Sequence, residues 1–418
     1  MKEKVKKIIK HPLIYGSAIV VLGSLLSNFF NFLYNLFMSR NLTVADYGTL
    51  ASIMSLIGLP VLLSSAATPL IIKFAGGYFA TNNMPLLRGF YQKIQKFYLY
   101  ICVIVVALFL LFITQVSQFF HIADINILYI SVFIIILALV GGLNGAFLQA
   151  KLAFGFQVVV NLVNTIAKLL LGVIFVFAGY GVPGATLSIL ISCLLSYIVG
   201  LIPLRFVFDK NIISPKIETK SLFAYGIPSA LTSFGLTSFI SADMLLVKHF
   251  FDPVQAGLYA GLSLIARVIF YISGPIAAVM FPIIVQKHSK NENFVNTFKL
   301  SLLFVLAPSI ILTTIYYFFP DFIILFFLKK REYLAIKPLL WLFGVYICLY
   351  GLTSIIATFY LSIKKTKVYI PILIGAFAQV VLIIFYHQSF LQIITISLVI
   401  MFLLVITLLL YYPYATKK

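Results

Sequence analysis

Charge is scarce in this chain, and acid above all. Only 10% of the 418 residues are charged, with 10 Asp and Glu against 30 Lys and Arg. A soluble domain is near half apolar and about a quarter charged. Here 62% of residues are hydrophobic and the mean hydropathy is +1.12. A soluble core of this length cannot hide that excess, so lipid must be the solvent for most of it. Cysteine is scarce too. Cys102, Cys193 and Cys348 all fall inside apolar runs, where they read as small packing residues. The clustered spacing of a disulfide framework or a zinc site is missing. So is the G-x-x-x-x-G-K-[ST] phosphate loop, which excludes nucleotide hydrolysis by that route. No His/Cys/carboxylate cluster has metal-ligand spacing, and no cofactor is expected. His11, His121, His249, His288 and His387 sit near the ends of apolar runs. The loops are short, so no exposed domain is left to house a Ser-His-Asp site. The first apolar run, Leu13 to Met38, is too long for a signal peptide and ends on no small-residue cleavage motif.

What is present is a series of apolar runs of membrane-spanning length, about 20 residues each. Spans are expected near 13–38, 47–74, 97–117, 126–149, 153–178, 182–204, 222–247, 255–285, 298–319, 338–363, 368–386 and 390–411. The run Phe322–Leu328 is too short to cross and reads as a rim segment. The fold class is thus an all-α polytopic membrane protein with about 12 transmembrane helices. Lys and Arg orient it. One set of loops, with both ends of the chain, holds 22 of them; the other holds only Arg40, Lys248, Lys329, Lys330, Arg331 and Lys337. The richer side belongs in the cytoplasm, so both termini are expected there. The cluster at 329–337 breaks the pattern. The net charge of +20 is then a matter of topology or of anionic lipid. Nucleic-acid binding falls away for want of a basic soluble domain.

The two halves echo each other. Setting Gly48 on Gly257 gives an offset of 209 residues, which places Leu36 on Leu245 and Ala51 on Ala260. Each glycine follows a brief break between two apolar runs, "MSRNLTVADYG" and "VKHFFDPVQAG", and suits a turn with a permissive backbone; Pro253 suits a helix start. The reading is two six-helix bundles, 1–209 and 210–418, around a central cavity. An even number of helices makes both halves enter from one face, related by an axis along the membrane normal.

Polar side chains within spans mark a cavity or a helix contact. The first span carries Ser17, Ser24, Asn28, Asn31 and Asn35, at steps of 7, 4, 3 and 4 that keep one face. The fifth carries Gln157, Asn161, Asn164 and Lys168, and Gly172 continues the face. Such stripes also serve as interhelical glue. Lys168 is harder to read that way, because it lies too deep to snorkel and a charge at helix centre is disfavoured by about 2.5–3.5 kcal/mol. A water-filled cavity lined by Lys168 is expected. Asp243 and Arg267 lie in the seventh and eighth spans, either as a structural ion pair or in substrate and coupling roles. Pro60, Pro69, Pro275 and Pro282 invite kinks, and "SGPIAA" at Ser273–Ala278 is a candidate bend.

The stretch "NFLYNLFMSRNLTVADYGTLASIMSLIGL", with Arg40, Leu42, Tyr47 and Gly48, resembles the opening of the polysaccharide-biosynthesis flippases. These are the O-antigen, capsule and exopolysaccharide transporters of the multidrug/oligosaccharidyl-lipid/polysaccharide superfamily. "ADMLLVKHFFDPVQAGLYAGLSLIARV", with Asp243, Gly257, Tyr259 and Arg267, is similar to the second-half pattern. "GYGVPGA" at Gly179–Ala185 fits the turn between fifth and sixth helices. The resemblance implies a flippase, not an enzyme, for an undecaprenyl-pyrophosphate-linked oligosaccharide crossing a cytoplasmic membrane by alternating access. Lys168 and Arg267 are then expected at the diphosphate, and Asn28, Asn31, Asn161 and Asn164 at sugar hydroxyls. Arg40 guards the outer rim or caps the hairpin. A cation gradient, H+ or Na+, is expected to drive the cycle through Asp243. A polysaccharide polymerase and glycosyltransferases are the implied partners. The alternatives are a multidrug/cation antiporter of the same superfamily and a membrane enzyme of polysaccharide assembly.

Overall fold

The computed structural model describes residues 12–122, 124–208, 220–289 and 292–416. Lys2, Lys4, Lys6, Lys7, Lys10, Lys210, Lys216, Lys290, Lys417 and Lys418, which weigh in the orientation, lie outside them, as does His11. The side chains of Ser17, Pro69, Pro275 and Pro282 are likewise not described.

The described residues form helices without strands. In chain order these are α1 (Pro12–Asn41), α2 (Val44–Ala80), α3 (Met84–Leu111), α4 (Ile113–Phe119), α5 (Ile125–Ala150), α6 (Phe154–Phe177) and α7 (Gly181–Leu201). After a 3-10 segment at Ile202–Phe208 come α8 (Lys220–Phe250), α9 (Pro253–Ala266), α10 (Phe270–Ser289), α11 (Val295–Phe318) and the short α12 (Pro320–Leu328). A second 3-10 segment, Arg331–Leu339, leads into α13 (Leu340–Ser362), then α14 (Tyr369–Phe385) and α15 (Phe390–Thr416). Each of the twelve expected spans falls on one of these helices or on an adjacent pair, and the rim segment is α12. Among the described residues nine segments are long and apolar enough to cross a bilayer, and Val44–Gly58 and Pro253–Ala266 are shorter apolar helices. The protein is an all-α, multi-pass membrane protein.

Local chemistry sets the ends. After α1 the chain breaks for two residues, and Thr43 Oγ1 then accepts from Asp46 N at 3.1 Å and donates to the Asp46 carboxylate at 2.7 Å. After α8 it breaks for two residues again, and Asp252 accepts from Val254 N and Gln255 N, both at 2.9 Å, ahead of Pro253. These caps satisfy the orphan donors of a helix start. Gly179 and Gly181 make the α6–α7 turn at φ +87° and +50°, a region closed to most side chains.

The expectation for Gly48 and Gly257 needs correction. Both lie inside helices, and neither has a positive φ. A methyl group on Gly257 would stand 1.8 Å from the carbonyl oxygen of Val44, and one on Gly48 would stand 2.5 Å from Gly257 N. The two glycines let α2 and α9 touch backbone to backbone. The echo therefore records a helix contact, not a turn.

The eighth span also differs. It is broken at Arg267–Ile269, where the amides of Val268, Ile269 and Phe270 bond three residues back, at 3.2, 3.2 and 2.9 Å. The "SGPIAA" stretch lies within the unbroken α10.

The described residues group into two compact units. The first takes those within Met1–Tyr34, Pro60–Gln118 and Ala123–Ala230; the second takes those within Asn35–Leu59, Phe119–Ile122 and Leu231–Lys418. In the first, α7 packs on both α5 and α6, and an aromatic core gathers Phe90, Tyr91 and Phe147. In the second, α13 is central, packed by α10, α11 and α15. Lipid offers apolar groups no hydrophobic gain over protein, so close packing and hydrogen bonds carry this association.

Candidate functional site

The first unit contains a cavity of about 550 Å³. Its wall comes from α1, α2, α5, α6 and α7. The polar stripe of α1 supplies Ser24, Asn28 and Asn31, and that of α6 supplies Gln157, Asn161 and Asn164, with Ser27 and Thr165 beside them. These are the two stripes whose helical spacing marks one face, and the fold turns both into the same space. Asn164 Nδ2 donates to Ser196 Oγ at 3.3 Å, and Thr165 Oγ1 donates back to the Asn161 carbonyl at 3.0 Å. Among the described residues, the wall contains no acidic or basic side chain.

Asn144 of α5 is a lining residue that sequence reasoning missed, as are Ser27, Thr165 and Ser196. Asn144 Oδ1 accepts from the Tyr91 hydroxyl at 2.8 Å, while its Nδ2 is buried without a partner. Its signal in the sequence was an amide inside the otherwise apolar "VGGLNGAF", with no polar neighbour at helical spacing to form a stripe.

Lys168 stands beside this cavity but outside its wall, which corrects the expectation that it lines the space. It lies fourteen residues from Phe154 and nine from Phe177, about 21 and 14 Å along the axis. Its exposure is 6%. The ammonium donates to Asn31 Oδ1 and lies 4.8 Å from the centre of the Tyr34 ring. Tyr34 is itself fixed by donating to the Ala185 carbonyl at 2.9 Å. Asn31 thus has one side on the cavity and the other on a charge. Gly23 lets α1 approach α6 about two turns away, since a methyl group there would meet Val158 at 2.3 Å.

Asp243 and Arg267 lie in the second unit. Asp243 is fully buried; it accepts from the Tyr259 hydroxyl at 2.9 Å and from Met244 N at 2.7 Å. Arg267 sits at the break between α9 and α10, donates through Nη2 to the Ile240 carbonyl, and has a buried, unpartnered Nε. The two do not form an ion pair; the ion pair among the described residues is Lys337–Asp321. Tyr346 and Gln379 extend the polar interior, with Tyr346 donating to the Phe239 carbonyl at 2.8 Å and Gln379 Nε2 to Ser397 Oγ at 2.8 Å.

Arg40 is engaged at the end of α12. Its Nε donates to the Phe327 carbonyl and its Nη2 to the Phe326 carbonyl, both at 2.7 Å. Lys330 donates to the Leu42 carbonyl close by. Burial lowers its ammonium below the ordinary lysine range, against the opposing pull of Glu332 and Asp46. Of the residues expected at the site, Asn28, Asn31, Asn161 and Asn164 come together at one cavity, with Lys168 behind them. Arg267, Asp243 and Arg40 belong to the other unit.

Comparison with known proteins bears on this arrangement. A family model described as "Polysaccharide biosynthesis protein" matches residues 13–288. An uncharacterized membrane protein of Methanocaldococcus jannaschii is 30% identical over 172 residues, which is 38% of this chain and 41% of that protein's length. Among solved structures, an inward-facing MATE-family multidrug resistance transporter of the MOP superfamily superposes with a TM-score of 0.75 at 12% identity, covering 95% of this chain and 97% of its own. The lipid II flippase MurJ, in an inward closed conformation, superposes with a TM-score of 0.70 at 16% identity, covering 94% and 87%. At such identities these likenesses concern the fold.

Proposed function

The chain belongs to the polysaccharide biosynthesis protein family, and we propose that it is a flippase for an undecaprenyl-pyrophosphate-linked oligosaccharide repeat unit. In this reading the cargo moves from the inner to the outer leaflet of the cytoplasmic membrane by alternating access of the halves 1–209 and 210–418, with both termini cytoplasmic. The observation that carries the proposal is the first unit's cavity, whose described wall presents amides and hydroxyls among apolar groups and no charged side chain. Amide and hydroxyl groups both donate and accept, which matches sugar hydroxyls. A cationic drug would instead call for carboxylates or bare aromatic faces.

The remaining roles follow from placement. Asn28, Asn31, Asn161 and Asn164 contact sugar. Lys168 is released from Asn31 to meet the diphosphate as a point charge, and Arg267 offers a planar fork to phosphate in another step of the cycle. Arg40 holds the rim through α12. Asp243 couples the cycle to H+ or Na+, because a buried carboxylate changes its preferred environment when it is neutralised. In this reading glycosyltransferases build the cargo before this step and a polysaccharide polymerase consumes it afterwards.

The test is translocation in vesicles. Purified protein is reconstituted with undecaprenyl-pyrophosphate oligosaccharide, and the leaflet of the sugar is read with an impermeant reagent. Protein-dependent translocation is expected, slowed about tenfold in Asn161→Ala/Asn164→Ala, the loss of two ordinary hydrogen bonds. Gradient-driven export of cationic dyes with no movement of the lipid-linked sugar would assign the protein to the antiporters instead. Chemical alteration of the sugar would assign it to the enzymes.

A further inference from the structure

Four of the six basic residues expected on the charge-poor side fall within 329–337. The orientation rule gives no reason for them. The second unit builds them into a collar. α12 buries Ile324 and Leu328 and exposes Phe322 and Phe326, at 65% and 58%, stacked with ring centres 5.7 Å apart. Lys329 ends that helix in the left-handed region at φ 61°. The 3-10 turn that follows is pinned by Tyr333, which fills the space over Gly261. Lys337 returns to Asp321 at 2.6 Å. Lys330 is committed to the Leu42 carbonyl, while Lys329 and Arg331 stand exposed.

Below the collar an apolar groove of about 410 Å³ runs between α11 and α13, lined by Ile310, Thr313, Tyr317, Phe318, Trp341 and Val345, among others. Tyr317 and Trp341 meet edge to face at 5.7 Å at its mouth. Gly344 sets the floor, since a methyl group there would already press on Thr313 and Tyr316 at 3.2 Å. Aromatic side chains of this kind sit at headgroup level. From Ile310 to Phe318 the groove is about 12 Å long at helical rise, close to the roughly 15 Å depth of one leaflet. That length suits one acyl chain and is short for a long polyprenyl tail.

We propose that this groove is a resident site for an anionic phospholipid, one acyl chain lying between α11 and α13 and the phosphate held by the exposed Lys329 and Arg331. With Lys337 paired to Asp321 and Lys330 committed to the Leu42 carbonyl, Lys329 and Arg331 face the single remaining acid, Glu332, and favour an anionic head over a zwitterionic one. The site is independent of the cargo cavity and of its proposed function.

The chain has a single tryptophan, and it is Trp341, so its fluorescence reads the groove directly. The full-length protein is placed in bilayers containing either dibromo-phosphatidylglycerol or dibromo-phosphatidylcholine at equal mole fraction. Quenching by the brominated chain reports occupancy. A basic residue at a membrane surface is worth about a fivefold change in affinity, so phosphatidylglycerol is expected to quench at about fivefold lower mole fraction or less. Lys329→Gln/Arg331→Gln should bring the two lipids towards parity. Equal quenching of the unaltered protein by both lipids overturns the proposal without any variant. So does relief of quenching by polyprenyl phosphate but not by unbrominated phosphatidylglycerol, which would hand the groove to the cargo's tail.

Discussion

Replacing Lys168 by methionine removes one charge and keeps most of the side chain's length and volume. The structure gives the terms of the change. An ammonium at the centre of a span is disfavoured by about 2.5–3.5 kcal/mol. Against this stand its hydrogen bond to Asn31, about 1.5–3 kcal/mol for a charged donor, and its place over the Tyr34 ring at 4.8 Å, up to about 2 kcal/mol when desolvated. The two sides are of similar size, so Lys168→Met should shift stability by no more than about 2 kcal/mol. Thermal unfolding in detergent should then move by at most a few degrees. Transport should respond differently. If the ammonium meets the diphosphate during the cycle, its loss forfeits a charged hydrogen bond made to cargo, and flipping should fall by a factor of about 10 to 100. The assay pairs leaflet accessibility of the lipid-linked sugar with unfolding of the same preparation. Wild-type flipping by Lys168→Met refutes the reasoning. So does a flipping loss accompanied by collapse of thermal stability, because Lys168 would then be a structural post.

Other positions separate packing from function. Gly257→Ala forces α2 and α9 apart, since its methyl group would stand 1.8 Å from a carbonyl oxygen; unfolding should come earlier by about 2 kcal/mol or more. Gly58→Ala, in open space, should be neutral or stabilising by up to about 1 kcal/mol, and a reversed order would sink the backbone-contact reading. Arg40→Ala frees two carbonyls of α12, so hydrogen exchange in peptides spanning 320–331 should speed up, and Arg40→Lys should rescue it only partly because lysine lacks the fork. Asp243→Asn should leave fluorescence and unfolding near normal while removing the dependence of flipping on pH or Na+; a coupled cycle in that variant would move the coupling role elsewhere.

How much of this was legible beforehand depends on the kind of contact. Span positions were readable because lipid imposes length and composition on each helix separately. The stripes of α1 and α6 were readable because helical spacing puts their amides on one face of each helix. Their meeting at one cavity follows from packing, which single-helix periodicity does not contain. The position of Lys168 was misjudged by one side chain for the same reason: spacing gives the face, not whether Asn31 stands between the ammonium and the space. Asp243 and Arg267 looked like a pair from opposite charges in adjacent spans. Tyr259, Met244 N and the Ile240 carbonyl took those bonds instead, and the Ile240 and Met244 partners are backbone groups that no residue pattern announces. The glycine echo reads in the sequence as a pair of turns, because a glycine needed for lack of a Cβ reads like one needed for its φ.

The setting of Lys168 behind Asn31 has a consequence for the proposed cycle. A carrier must bind its cargo and then let it go, so a site that is too favourable stalls. An ammonium open to the cavity would meet a diphosphate at full strength in a medium where charges attract strongly. An ammonium already held by Asn31 Oδ1 and the Tyr34 face must give up those partners first. The net gain on meeting phosphate is then smaller by about 1.5–3 kcal/mol, which shortens residence by about 10- to 100-fold. Asn31 sits at the exchange point, lining the cavity on one side and holding the charge on the other. Asn31→Ala should accordingly strengthen retention of a diphosphate-bearing lipid while slowing its release, a split between affinity and turnover that neither a purely structural Asn31 nor a simple sugar contact would produce.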